Sequence, residues 1–218
     1  MQNTERTYLP AAGRDWALPL YDPLVKLLGA DVARRALLDQ ATLSAAHRIL
    51  DIGCGTGTLV TQIKRLYPLA EVVGLDPDPR ALERARKKAT RGRLAIPFDQ
   101  GFSDELPYPD ASFDRVLSAF MFHHLREQDK EKTLRETRRV LKPGGSLHLL
   151  DFKEAEPREG GWLARRFHSI DRLKDNSAGR ILTLMNNAGL VDSRQVSEGA
   201  LLFGHLRIAY YEAASPIV

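Results

Sequence analysis

The sequence predicts an α/β fold, a doubly wound and largely parallel sheet with helices on both faces. Three observations carry this. From Arg48 onward, short apolar runs alternate with longer stretches of helical periodicity, the pattern of βα units. The first of these strands runs directly into closely spaced glycines that open a helix. Of 218 residues, 43% are hydrophobic and 28% charged, an ordinary globular mix with enough apolar material for a core. The length suits one domain with an addition.

The elements follow in order. Residues 1–47 precede the alternating region, and there Asp31 is expected to cap a helix with the stripe Val32, Leu37, Leu38 and Ala41. Strands are expected near 48–52, 71–76, 94–98, 113–119, 145–152, 191–197 and 205–212, and helices near 57–67, 78–91, 126–140 and 178–188. Thr56-Gly57-Thr58 opens a helix, and Lys142-Pro143-Gly144-Gly145 turns into the fifth strand. Gly189 closes the last helix as a C-terminal cap. Residues 153–177 interrupt the pattern with a loop and then Trp162, Phe167, Ile170 and Leu173 at roughly helical spacing. Thus 1–218 reads as one domain, with 1–47 as an N-terminal helical cap and 153–177 as a helical insertion.

Charge and cysteine content narrow the function classes. Lys+Arg is 32 against 28 Asp+Glu, a net charge of +4, too mild to demand a nucleic-acid partner. The run Arg80, Arg84, Arg86, Lys87, Lys88, Arg91 and Arg93 reads as a solvated outer helix face. Cys54 is the single cysteine, so neither an intramolecular disulfide nor a thiolate zinc site is expected. Met1–Pro10 is polar and no run approaches ~18 apolar residues, so the expectation is a cytoplasmic protein without a membrane span.

The motif richest in chemistry is Ile49-Leu50-Asp51-Ile52-Gly53-Cys54-Gly55-Thr56-Gly57. Glycines let backbone approach a ligand, and the following helix N-terminus offers N–H groups to it. Asp76, 19 residues after Gly57 at the end of the next apolar strand, suits a ribose diol. Dinucleotide loops read G-x-G-x-x-G and leave room for pyrophosphate. Here the spacing is G-x-G-x-G behind Asp51, an acid that repels phosphate and pairs with an ammonium. No Lys-Ser/Thr follows, which disfavours a P-loop. The ligand implied is a nucleoside carrying an amino-acid group.

These residues resemble the class I S-adenosylmethionine-dependent methyltransferases, in the branch with quinone and other small-molecule methyltransferases. The likeness runs over about residues 15–212, through Gly101–Leu125, 134–152 and the final hairpin Gly204–Ala213. It implies a Rossmann-like seven-stranded sheet of order 3-2-1-4-5-7-6 with the last strand antiparallel, and S-adenosyl-L-methionine as cofactor. It further implies that Asp51, Gly53 and Gly55 hold the methionine end, and Cys54 counts with them as a cofactor-binding residue of the loop; with no activating base in sight, its side chain reads as small packing and not as a catalytic thiol. Asp76 binds the ribose, Pro77 lies against the adenine, and Ser103 meets an adenine nitrogen within Gly101-Phe102-Ser103. Ser118 and Ala119 line the methyl end, and Tyr21 in Leu20-Tyr21-Asp22-Pro23-Leu24 closes over the cofactor. Phe102 departs from the family, which often has an acid there to accept from the adenine amino group. Stacking by Phe102, or reach from Asp99 or Gln100, is the alternative.

Candidate catalytic groups belong at the carboxyl ends of strands. His123, after the fourth strand, and Asp151, ending the fifth, are the candidates for base and acceptor contact, set against local structural roles; no metal is expected. Tyr8, Trp16, Trp162, Phe167 and His168 lie in the added segments and suit an acceptor pocket or ordinary core. Residues 162–174 pair apolar positions with Arg165, Arg166, Arg172 and Lys174, which suits a lid or peripheral membrane contact. Ser118-Ala119-Phe120-Met121 lacks the Asn/Asp-Pro-Pro-aromatic run of many base amino-methyltransferases, so the expected acceptor is small or lipid-like and not nucleic acid. Two other functions compete: a nicotinamide-dependent oxidoreductase, opposed by the glycine spacing, and a non-catalytic binding module, opposed by the intact loop and Asp76.

Overall fold

The apolar runs become strands β1 (Arg48–Ile52), β2 (Glu71–Asp76), β3 (Phe98–Gln100), β4 (Phe113–Ala119), β5 (Leu141–Phe152), β6 (Val191–Leu201) and β7 (Leu206–Ala214). The helices are α1 (Ala30–Gln40), α2 (Thr58–Leu66), α3 (Pro79–Arg91), α4 (Glu127–Val140) and α5 (Ala178–Asn187), with a 3₁₀ turn at Phe122–His124. The structure, a computed structural model, describes residues 29–153, 177–201 and 206–217. The expectations for Tyr8, Trp16, Tyr21 and the 162–174 segment fall outside those residues.

The strands form one sheet in the order β3-β2-β1-β4-β5-β7-β6. β1 to β5 are parallel, and β7 runs antiparallel to both β5 and β6. One face packs Ile49, Val72, Leu117 and Leu150 against Leu37 and Leu38 of α1, Leu59, Val60 and Ile63 of α2, and Leu82 and Ala85 of α3. The other packs Leu50, Ile52, Val116, Leu147 and Leu149 against Leu134 of α4 and Ile181, Leu184 and Met185 of α5. Burial on both faces explains why the central strands are continuously apolar rather than alternating.

Three local expectations change. The α1 cap is Gly29 at φ 89°, while Asp31 sits in the first turn. Val32 is 76% exposed, and the buried stripe is Ala30, Ala33, Leu37 and Leu38 with Arg34. Five residues of helix put Val32 about 140° from Leu37, so the two cannot share a face. β3 starts at Phe98 because Arg93 takes a left-handed turn (φ 54°) and the ladder opens where Gly74 N–H donates to Pro97 O (3.1 Å). Leu94 and Ile96 pack on the core ahead of the strand. The Lys142–Gly145 turn becomes a bulge inside β5: pairing jumps from Phe113–Leu141 to Arg115–Ser146, with Gly144 at φ 73°.

Polar contacts fasten α1 to the sheet. Gln40 Nε2 donates to Tyr211 O (3.2 Å) and lies 3.3 Å from His148 Nδ1, and His148 Nε2 lies 2.9 Å from Ser146 Oγ. Tyr210 donates to Ala33 O (3.2 Å). On α3, Arg80, Arg86, Lys87 and Arg91 are exposed, as a solvated face requires, while Lys88 turns inward and donates to Thr58 Oγ1 (2.8 Å). The strand order reverses between β1 and β4. Ligand sites of open α/β sheets lie at that switch point, beyond the carboxyl ends of the strands.

Candidate active site

Beyond β1 the chain turns through Gly53, Gly55 and Gly57, all left-handed at φ 72°, 53° and 74°. Their surroundings differ. A Cβ on Gly53 would come within 2.2 Å of Met121 Cγ, so this glycine admits the methionine that follows β4. A Cβ on Gly57 would meet Ala85 Cβ at 2.8 Å, so this one lets α3 pack closely. A Cβ on Gly55 would meet no described atom within 4 Å, so this glycine borders open space. Gly53 and Cys54 N–H donate to Leu75 O (2.8 and 3.0 Å), which fixes the loop against β2. Gly55 N–H donates to Asp76 Oδ2 (2.8 Å), and Asp76 Oδ1 accepts from Asp78 N–H (2.9 Å).

Two buried acids flank this loop. Asp51 is 2% exposed, and burial, reinforced by Asp76 and opposed by Arg34, pushes its carboxyl up to about 8. Burial raises Asp76 to about 6 against the hydrogen bonds from Asp78 and Gly55. Cys54 Sγ turns inward to where a Gly74 Cβ would stand (2.9 Å), and burial pushes its thiol well up, so it is an inert packing group.

At the β2–β3 end, Gly101 N–H donates to Asp76 O (3.2 Å) and Pro77 O accepts from Gln100 Nε2 (3.2 Å). Asp99 accepts from Tyr108 OH (2.9 Å), so one of its carboxylate oxygens is engaged. Phe102 is partly exposed beside these groups, and Ser103 is buried with its Oγ 2.8 Å from Thr133 Oγ1 of α4. Asp76, Pro77, Gly101, Phe102 and Ser103 therefore gather at the β2–β3 end of the sheet.

At the β4–β5 end, Asp151 is fully buried and grips His123 twice: Oδ2 accepts from His123 N–H (2.9 Å), and Oδ1 lies 2.6 Å from Nδ1. Oδ1 also accepts from Phe152 N–H (2.7 Å). That oxygen acts as an acceptor, so Nδ1 is the donor of this contact. The His123 ring stands edge-on to Phe152 at 5.0 Å. Ser118 donates to Ile52 O (3.2 Å), bridging β4 to β1 below the loop. Phe120 takes a left-handed φ of 59°, and such strain in a non-glycine residue concentrates at functional corners. Met121 links the two ends, since its side chain fills the space Gly53 leaves and His123 follows two residues on.

Residues 49–145 match the methyltransferase domain family. Over that stretch the chain is similar to methyltransferase domains. Demethylmenaquinone methyltransferases from Deinococcus radiodurans and Thermus thermophilus are 42% and 45% identical to this chain over 137 residues, which is 62% of it. The match spans 56% and 61% of those relatives, so the chain covers only part of their length. A solved S-adenosylmethionine-dependent methyltransferase from Aquifex aeolicus superposes with a TM-score of 0.66 at 21% identity, covering 88% of this chain and 92% of that one, a likeness of fold.

Within the matched stretch the structure adds residues that sequence reading passed over. Gly74 admits Cys54 and Phe98, Met121 fills the Gly53 gap, and Thr133 meets Ser103. Arg34, 8% exposed on α1, lies before the domain in sequence. Its only sequence signal is a charge among apolar helix positions.

Proposed function

We propose that the chain transfers a methyl group from S-adenosyl-L-methionine to a small, lipid-like acceptor bearing a hydroxylated ring. The observation that carries this is the open space at Gly55, bordered by left-handed backbone that favours glycine and flanked by the buried acids Asp51 and Asp76. These groups fit the cofactor. A small buried acid suits its ammonium, a second at the end of β2 suits the ribose diol, and the partly exposed Pro77 and Phe102 suit the adenine. The loops at Gly53, Gly101 and Ser103 complete the cradle, and Ser118 supports its floor from β4. Tyr21, by resemblance, adds a closing contact.

Bound there, S-adenosylmethionine supplies an electrophilic sulfonium methyl group. The protein's part is alignment and proton removal. His123 takes a proton from the acceptor hydroxyl at Nε2, and Asp151 holds the ring in the tautomer that leaves Nε2 open. An electrophilic methyl requires a nucleophile, so the acceptor is a reduced quinol and not the oxidised quinone. The quinone substrates in the relatives' names support this class. Acceptor selection is assigned to the additions, 1–47 and 153–177, and the basic 162–174 segment to contact with anionic lipid. Loss of liposome pelleting on neutralising Arg165, Arg166, Arg172 and Lys174 tests that contact.

The test is incubation with methyl-tritiated S-adenosylmethionine and demethylmenaquinone, oxidised or chemically reduced, beside soluble phenols. Label in the reduced lipid alone supports the proposal. Binding of the cofactor without transfer to any hydroxylated ring contradicts it.

A further inference from the structure

Arg139 of α4 has every guanidinium donor in use, and most of them hold the chain between β3 and β4. Nη1 donates to Tyr108 O (2.8 Å) and Asp110 Oδ1 (2.7 Å), and Nη2 donates to Leu106 O (3.0 Å). Nη2 and Nε also donate to the two oxygens of Glu136 (2.7 and 2.8 Å), one turn earlier on the same helix. Five bonds match the five N–H donors of the group. Glu136 is part of the same grip. Its Oε2 accepts from Leu106 N–H (2.8 Å), and the hydrogen bond from Arg139 holds its carboxyl below the ordinary glutamate value. The backbone is held as well, since Ala111 N–H donates to Arg139 O (2.9 Å).

Connections between elements are ordinarily the mobile parts of a fold. This one is fastened along its length. On the sheet side, Tyr108 OH donates to Asp99 (2.9 Å), and its ring stands edge-on to Phe113 at 5.0 Å. At its start, Ser103 Oγ lies 2.8 Å from Thr133 Oγ1. Thr133, Glu136 and Arg139 are spaced by three, so they run along one side of α4. That side holds the connection from Ser103 to Asp110. The held stretch opens with Gly101, whose N–H donates to Asp76 O (3.2 Å) beside Pro77. A binding edge built on a loop costs affinity unless the loop is ordered in advance.

We propose that Glu136 and Arg139 are positioning residues for the adenine of the cofactor: they touch no ligand and act by holding the 101–110 connection so that its first residues meet the base. This rests on the proposed cofactor and extends its site to a side of α4 that lies outside the cradle itself. Loss of the pair is expected in base selectivity, and not in overall affinity alone.

The experiment titrates S-adenosylhomocysteine and S-inosylhomocysteine, in which an oxygen replaces the adenine amino group, into wild type, Arg139→Met, Arg139→Lys and Glu136→Gln by calorimetry. The readout is the ratio of the two affinities. A fold that is merely loosened lowers the competent fraction for both ligands alike and leaves their ratio unchanged. Wild type should favour S-adenosylhomocysteine by about tenfold, the worth of one hydrogen bond to the base. Arg139→Met should bring that ratio close to one. Arg139→Lys, without the planar fork, should recover only part of it. Glu136→Gln removes the charge at nearly constant shape, should give an intermediate ratio, and decides the question if Arg139→Met does not fold. A lower melting temperature with the wild-type ratio kept would overturn the proposal and leave the pair a structural support. Wild type that binds S-adenosylhomocysteine without favouring it would also overturn the proposal, while the cofactor reading stands. Wild type that binds neither ligand would overturn the cofactor reading and this proposal with it.

Discussion

At the residue scale, the three loop glycines look alike in sequence and differ in consequence. Gly55→Ala adds a methyl to open space and costs only the left-handed backbone, about 1–2 kcal/mol. It should reduce cofactor affinity more than stability. Gly53→Ala adds the same strain and a collision with Met121, so it should lower the melting temperature further. Thermal melts beside S-adenosylhomocysteine titrations separate the two. Asp51 sets a pH dependence. Its carboxyl, raised from 3.8 to about 8, ionises in the unfolded chain first, so its contribution to stability is lost as pH rises between those values. An ammonium needs the ionised form, so affinity should rise toward pH 8 and binding near pH 7 should release protons. Titration in buffers of different ionisation enthalpy measures that release; proton-neutral binding would contradict it. The loop and its acids were legible because their chemistry is local. Arg34 and Met121 were not, because each acts through a partner far away in sequence.

At the element scale, strands and helices were legible where burial on both faces made them apolar throughout. They were misread where backbone geometry decided. No side-chain pattern announces the left-handed Arg93 that delays β3, or the bulge that carries β5 back to Leu141. α1 illustrates the limit. Its spacing read as a helix, but only packing shows that Val32 faces out and Arg34 in. Its fastening makes a prediction. Burial, aided by Arg115 and Arg194, pushes His148 down to about 3 from 6.5. The unfolded chain therefore takes up a proton that the folded chain refuses. Stability should fall as pH drops through that window, by at most about 1.4 kcal/mol per pH unit from this group. Denaturation at pH 7 and pH 4.5 should show a shallower acid loss in His148→Gln than in wild type. Removing Leu37 from the α1 core (Leu37→Ala) should cost about 2–5 kcal/mol in the same assay.

At the scale of the whole molecule, the parts divide by task. In the proposed function the carboxyl ends of β1 and β2 present the acids for the cofactor, while those of β4 and β5, on the other side of the switch point, bring His123 and Asp151 together. This division explains why cofactor class was readable and acceptor identity was not. The proposed cofactor cradle is glycine, acid and strand order, all written locally, whereas the proposal assigns acceptor choice to the added segments, which carry no comparable motif. No described helix is long and apolar enough to cross a membrane. The most direct test of the central claim is calorimetric titration of S-adenosylhomocysteine into wild type and Asp76→Ala. One equivalent should bind wild type, and Asp76→Ala should bind at least about tenfold more weakly. No binding to wild type, or equal affinity in both proteins, would contradict the assignment of this strand-end cradle to S-adenosylmethionine.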